Sequence, residues 1–195
     1  MLRTWDIFDT LIARRCVFPQ RVFDIVEQRL GVKNFANMRK TAEQLILNIG
    51  INFKLGDIYD VMWQIFKLDK QTTDRWKQVE LDVEFEQAIP IAENINQVCS
   101  GDVLISDMYL PTDSVRRMLE KCGLFVPVEV IISNNVKSNG KIWKQFRDQG
   151  LFVMHTGDNE ISDVAKPREF GMESSWTVLH RPTPLETQLL KIDFE

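Results

Sequence analysis

The sequence is poor in the features that mark several classes of protein. Its three cysteines, Cys16, Cys99 and Cys122, are far apart and show no CxxC spacing. That argues against a disulfide framework or a cysteine-rich zinc site and for reduced thiols. Positive charge is not in surplus: the net charge is −4 and the pI near 5.3. There is therefore no electrostatic case for nucleic acid. No run approaches the roughly 20 apolar residues that cross a bilayer. The apolar amino-terminal stretch is broken by Asp6 and Asp9, unlike a signal peptide. Internal repeats and low-complexity tracts are also missing. A cytoplasmic protein with no nucleic-acid or membrane partner is expected.

What is present suits one α/β domain or a core with a modest insertion. Hydrophobic residues make up 44% of the 195 and charged residues 27%, enough to bury a core. The chain falls into three stretches. The first is the apolar run from Leu2 to Ile12. The second, from about Arg14 to Val98, reads as helices only. Apolar residues recur at helical spacing in Pro19–Leu30, Phe35–Ile49, Asp57–Leu68 and Thr73–Ala88, and Gly31, Gly50 and Pro90 supply stops. The third alternates short apolar strands with helices. Strands are expected at Asp102–Ser106, Val128–Ser133, Leu151–Thr156 and Ser175–Leu179, and helices at Thr112–Lys121, Gly140–Gln149 and from Ile161. This alternation implies a Rossmann-like, mainly parallel sheet with helices on both faces. A lone first strand must join that sheet, so the helical stretch becomes an insertion after it. The expected division is a core of residues 1–13 and 99–195 and a helical cap of residues 14–98.

In an open parallel sheet, ligands sit beyond the carboxyl ends of the strands. Reactive side chains should therefore follow the strands, and they do. Asp6-Ile7-Phe8-Asp9-Thr10 ends the first strand, Ser106-Asp107 the second. Lys137 follows Val128–Ser133. Gly157-Asp158 follows Leu151–Thr156, with Asp163 five residues on.

These four clusters resemble the motifs of the haloacid dehalogenase superfamily. TWDIFDTL is similar to its first motif and LISD to its second. Lys137-Ser-Asn-Gly-Lys-Ile-Trp143 resembles the third, and Gly157-Asp158-Asn-Glu-Ile-Ser-Asp163 the fourth. Order and spacing agree over about residues 3 to 180. WDIFDTL and ISDMYLP also resemble a subgroup with a DIFDT first motif, often found with polysaccharide glycosyltransferases. The resemblance implies a magnesium-dependent hydrolase or phosphotransferase with Asp6 as nucleophile, acting through a phosphoaspartate on a small phosphorylated metabolite. By the same resemblance Asp6, the Phe8 backbone carbonyl and Asp158 ligate Mg2+, and Asp163 completes or orients the shell. Lys137 balances charge. Ser106 and the backbone N–H of Asp107 donate to phosphate oxygens, and Thr10 stands between a structural and a catalytic role. The chemistry suits the residue types: a carboxylate is a competent nucleophile toward phosphorus, and a dianionic phosphate needs cations beside it.

Each residue also has a plainer reading. Asp9 and Thr10 suit a turn cap, Asp158 a turn, Asp163 an early helical position, Ser106 a strand end and Lys137 a loop. Arg14 and Arg15 read as a solvated hinge. His155 reads as a satisfied core histidine, too far from His180 in sequence to suggest a pair. One departure from the family matters. Its phosphatases usually carry a second Asp two residues after the nucleophile, as general acid and base, and here that residue is Phe8. The open alternatives are a substrate with a good leaving group, an acid from Asp9 or from the insertion, a 2-haloacid dehalogenase-like hydrolase, and a catalytically silent phosphate-binding or partner domain.

Overall fold

A computed structural model describes residues 1–50 and 52–178. The strands are β1 (Leu2–Trp5), β2 (Ile12–Arg14), β3 (Ala88–Pro90), β4 (Val103–Ser106), β5 (Glu129–Ile132), β6 (Val153–Gly157) and β7 (Glu173–Trp176). The helices are α1 (Arg21–Leu30), α2 (Phe35–Ile49), α3 (Leu55–Phe66), α4 (Lys70–Gln87), α5 (Ala92–Ile95), α6 (Thr112–Lys121), α7 (Lys141–Asp148) and α8 (Lys166–Glu169). A π-helical stretch, Glu160–Ala165, leads into α8. The main sheet has five strands in the order β5-β4-β1-β6-β7, all parallel.

A parallel sheet is covered on both faces, and its strand β4 accordingly reads as an apolar run up to Ser106. Every residue of β4 is buried, and successive side chains serve opposite layers. Leu104 joins one core with Val115, Met118 and Leu119 of α6. Val103 and Ile105 join a second with Ile142, Trp143 and Phe146 of α7. Helices thus cover both faces, as the strand–helix alternation implies, and the first strand lies in the middle of the sheet.

The stretch between β2 and β3 forms α1 to α4, which bury Val22, Phe35, Ala42, Ile58, Met62 and Val83 among themselves. Its helix boundaries follow local chemistry. Gly31 ends α1 at φ +66° and Gly50 ends α2 at φ +73°, each giving its N–H back to the last turn. Asp69 caps α4 by accepting from the Thr72 N–H at 2.7 Å. A buried charge cluster lies inside. The Arg39 guanidinium is fully buried and donates to both Glu80 oxygens at 2.8 and 2.9 Å, and to Glu43 at 2.8 Å. The Tyr59 hydroxyl donates to Glu80 at 2.7 Å.

Four expectations need correction. The amino-terminal apolar run is not one strand: it breaks after Trp5 and resumes as β2, because the chain turns through Asp9 at φ +60°. The second stretch is not wholly helical, since β3 pairs antiparallel with β2 and so ties its two ends together. The last strand begins two residues earlier than expected, at Glu173, while Leu179 and His180 lie outside the described residues. Arg14 is not a solvated hinge residue. It is 5% exposed, with Nε and Nη2 donating to Glu84 at 2.7 and 3.0 Å. A cation this deeply buried needs such a partner.

Candidate active site

Four loops at the carboxyl end of the sheet deliver the expected residues. Asp6 follows β1, Ser106 ends β4, Lys137 lies in the turn between β5 and α7, and Asp158 follows β6. Asp163 comes from the π-helical stretch. The Lys137 ammonium donates to Asp6 Oδ1, and to Asp163 Oδ1 at 2.5 Å. The Thr10 hydroxyl lies 3.1 Å from Asp6 Oδ2 and 3.4 Å from Asp158 Oδ1, bridging the two carboxylates. Asp6, Lys137 and Asp163 are each 5% exposed or less. Residues more than 130 positions apart in sequence, such as Asp6 and Lys137, thus meet in one buried cluster.

Two expected residues stand beside this cluster without a side-chain hydrogen bond to it among the described residues. Ser106 is buried at the end of β4 and pairs in register with Ile132. Phe8 sits in the turn between β1 and β2, its ring against Arg14. Asp107 acts through its carboxylate, a role not foreseen. It accepts from the backbone N–H of Lys137 at 2.7 Å and of Ser138 at 2.9 Å. That fixes the turn presenting the ammonium.

Sequence reasoning also missed several supporting residues. Asn159 caps the π-helical stretch by accepting from Ile161 and Ser162 N–H, both at 3.0 Å, while its own N–H donates to Asp163 Oδ2 at 3.1 Å. Trp176 Nε1 donates to the Asp158 carbonyl at 2.8 Å, and Asn94 Nδ2 to the Thr10 carbonyl at 2.8 Å. His155, on β6, reaches Asp163 from behind. Gly157 permits this packing: a Cβ there would lie 2.5 Å from Asp163 Cγ. A polar residue two places before the Gly-Asp pair, on the strand feeding the site, was the one available sign of His155.

The electrostatics follow from three acids sharing one ammonium. Burial pushes Asp6 up to about 7; Lys137 opposes this and the charges of Asp163 and Asp158 add to it. Burial and the neighbouring Asp163 and Asp9 also raise Asp158. Burial would raise Asp163 too, but the His155 hydrogen bond and Lys137 hold it well below the usual carboxylate range. Burial alone would lower Lys137, yet Asp6 and Asp163 outweigh it and keep the ammonium charged. One carboxylate oxygen from each of Asp6, Asp158 and Asp163 lies within 4.8 Å of the others. An all-oxygen donor set with surplus negative charge fits a hard divalent cation such as magnesium.

A cavity of about 540 Å3 opens between α3 with its preceding loop and the loops after β4 and β5. Phe53, Lys54, Tyr109, Ser133 and Asn134 are among its walls. The Leu55 N–H donates to the Tyr109 carbonyl at 2.8 Å, and Asn52 Nδ2 to Ser133 Oγ at 2.9 Å, joining the helical stretch to the sheet loops. No described helix is long and apolar enough to cross a membrane.

No family model matches the chain, and no curated protein does. Solved structures do. A haloacid dehalogenase-like family hydrolase from Xanthomonas campestris superposes with a TM-score of 0.61 at 16% identity, over 97% of this chain and 91% of that one. The HAD-hydrolase YfnB from Bacillus subtilis, determined bound to magnesium, superposes with a TM-score of 0.56 at 12% identity, over 98% of each chain. The shared property is the fold, a Rossmann-like α/β architecture found in hydrolases of that type.

Proposed function

We propose that this protein is a magnesium-dependent hydrolase or phosphotransferase, with Asp6 as nucleophile toward a small phosphorylated metabolite. The observation that carries the reading is the junction of Asp6 with Lys137 and Thr10 beside Asp158 and Asp163, all at the carboxyl edge of a parallel sheet.

In the first step an Asp6 oxygen bonds to phosphorus and the bond to the leaving oxygen breaks, that oxygen keeping the electron pair. In the second, water attacks the same phosphorus, releasing phosphate and restoring the carboxylate; another acceptor in place of water gives transfer. Lys137 neutralises charge shared by Asp6 and the phosphoryl oxygens. The Ser106 hydroxyl and the Asp107 N–H donate to those oxygens. Thr10 holds Asp6 and Asp158 in place. Positioning and charge stabilisation supply most of phosphoryl-transfer catalysis. Asp6, Asp158 and the Phe8 carbonyl, with Asp163 behind, would hold magnesium, which would supply the positive charge that offsets a dianionic phosphate beside a carboxylate.

Residues 14–98 act as a cap over a core of residues 1–13 and 99–195, and the cavity beside α3 receives the remainder of the substrate. The motif resemblance suggests a sugar phosphate or a nucleotide sugar, and the nucleotide sugar, a phosphoanhydride, is the first to examine. Phe8 favours substrates whose leaving group departs without protonation, such as acyl phosphates and phosphoanhydrides. The test is phosphate release from phosphorylated metabolites with and without magnesium, with Asp6→Asn as the blank. Magnesium-dependent release lost in that variant supports the reading. Release unaltered by the substitution, or none from any substrate class, sinks it.

A further inference from the structure

We propose that His155 is a positioning residue that holds Asp163 for the site, and that Thr4 holds His155 in turn. The inference rests on the reading of Asp163 as part of a magnesium and lysine site, and names a device that reading did not include.

The geometry is a buried chain across adjacent parallel strands. Thr4 of β1 and His155 of β6 are partners in strand register. Thr4 Oγ1 lies 2.8 Å from His155 Nδ1, and His155 Nε2 lies 3.2 Å from Asp163 Oδ1. Asp163 Oδ1 also takes the Lys137 ammonium, and Lys137 reaches Asp6. Thr4, His155 and Asp163 are all essentially inaccessible to water. Each hydrogen bond must therefore be made within the protein. An ionised Asp163 can only accept, so Nε2 carries the proton. With that as its single proton, the ring leaves Nδ1 to accept from the Thr4 hydroxyl. Every donor and acceptor along the chain then has one consistent role.

The ring is also clamped sideways. Trp143 meets it edge-on, with centroids 4.8 Å apart and planes at 61°, and the same indole donates from Nε1 to the Lys137 carbonyl at 3.1 Å. One buried tryptophan therefore braces two of the groups that contact Asp163 Oδ1, Lys137 and His155. Asp163 Oδ2 is occupied by the Asn159 N–H. Rotation of the carboxylate would break bonds on both oxygens at once, leaving buried groups unpaired. A core histidine with a purely structural task would have no need to point at an acid that also contacts the catalytic lysine.

Three variants test this in the 195-residue chain. His155→Gln keeps a donor near Nε2. His155→Phe keeps ring volume and the Trp143 contact. Thr4→Val/His155→Phe removes the orphaned hydroxyl as well, so that the fold survives. Magnesium affinity is read by calorimetry, thermal stability by calorimetric unfolding, and the ring state by long-range 1H–15N NMR of the imidazole. Loss of a partner behind a metal-binding carboxylate weakens affinity about 10–100-fold. That loss is expected in the double variant at near wild-type stability, with His155→Gln within about 3-fold of wild type. Wild-type affinity in the double variant overturns the proposal. So does a loss that merely tracks melting temperature across all three. If the wild type binds no magnesium, the metal reading fails by itself and the NMR decides this one. A ring protonated at Nε2 supports it; a ring whose only proton is on Nδ1 overturns it.

Discussion

The Arg14 guanidinium lies over the Phe8 ring, 4.6 Å from its centroid. Phe8 is the residue two places after the proposed nucleophile, so a buried cation and an aromatic face stand where a proton donor would serve a departing alkoxide. A cation can stabilise a leaving anion but, as arginine, does not protonate it. Alkyl phosphates should then be poor substrates and acyl phosphates good ones. General acid help is worth about 10²–10⁴-fold, and Arg14 would hold part of a new carboxylate in its ionised form. Phe8→Asp is therefore expected to raise alkyl phosphate hydrolysis about 10-fold or more, measured as phosphate release, with a smaller effect on acetyl phosphate. An unchanged preference would mean that another acid already serves, with Asp9 the first to replace.

Arg14 also bears on stability. It sits on the β2–β3 ribbon that joins the helical stretch to the sheet, and its partner Glu84 comes from α4. Removing one member of a buried pair strands the other, at about 3–5 kcal/mol. Glu84→Gln should lower the melting temperature by about 10 °C or more for a chain of this size. Arg14→Met/Glu84→Leu should recover most of it, because neither charge remains buried. Equal melting temperatures for the single variant and the wild type in a thermal scan would show the pair to be energetically idle.

Asp6 has a pH signature. With its folded pKa raised to about 7 from an ordinary 3.8, the native state holds a proton that the unfolded chain has released. The stability this gives is present below about pH 4 and is lost as pH rises to about 7. Asp6→Asn removes that dependence. Without added magnesium, the variant should gain on the wild type in melting temperature from pH 5 to pH 8. A constant difference across that range would place the Asp6 titration elsewhere.

The cluster at the strand ends was legible because a parallel sheet gathers the residues that follow its strands at one edge, whatever their separation in sequence. Asp6, Lys137, Asp158 and Asp163 could therefore be named together from strand ends and motif spacing. The charges buried away from that edge could not. Arg14 and Glu84 are 70 residues apart, and Arg39 and Glu80 are 41 apart. Alone, Arg14 reads as a hinge residue and Glu84, Arg39 and Glu80 as parts of solvated helix faces, and only the packing of α2, α4 and the β2–β3 ribbon brings the partners together. The short β3 was hidden for another reason: three residues at the end of a helical pattern carry no period of their own. His155 was visible as a core histidine, but its aim toward Asp163 depends on the register between β1 and β6, which the sequence does not spell out.

The most direct measurement is 19F NMR of the protein with beryllofluoride, a mimic of a phosphoryl group bound to a carboxylate. Bound fluoride resonances are expected in the wild type only when magnesium is present, and are expected to vanish in Asp6→Asn. Resonances that survive the Asp6 substitution, or that never form in the wild type, would contradict the assignment of Asp6 as the group that takes up phosphorus.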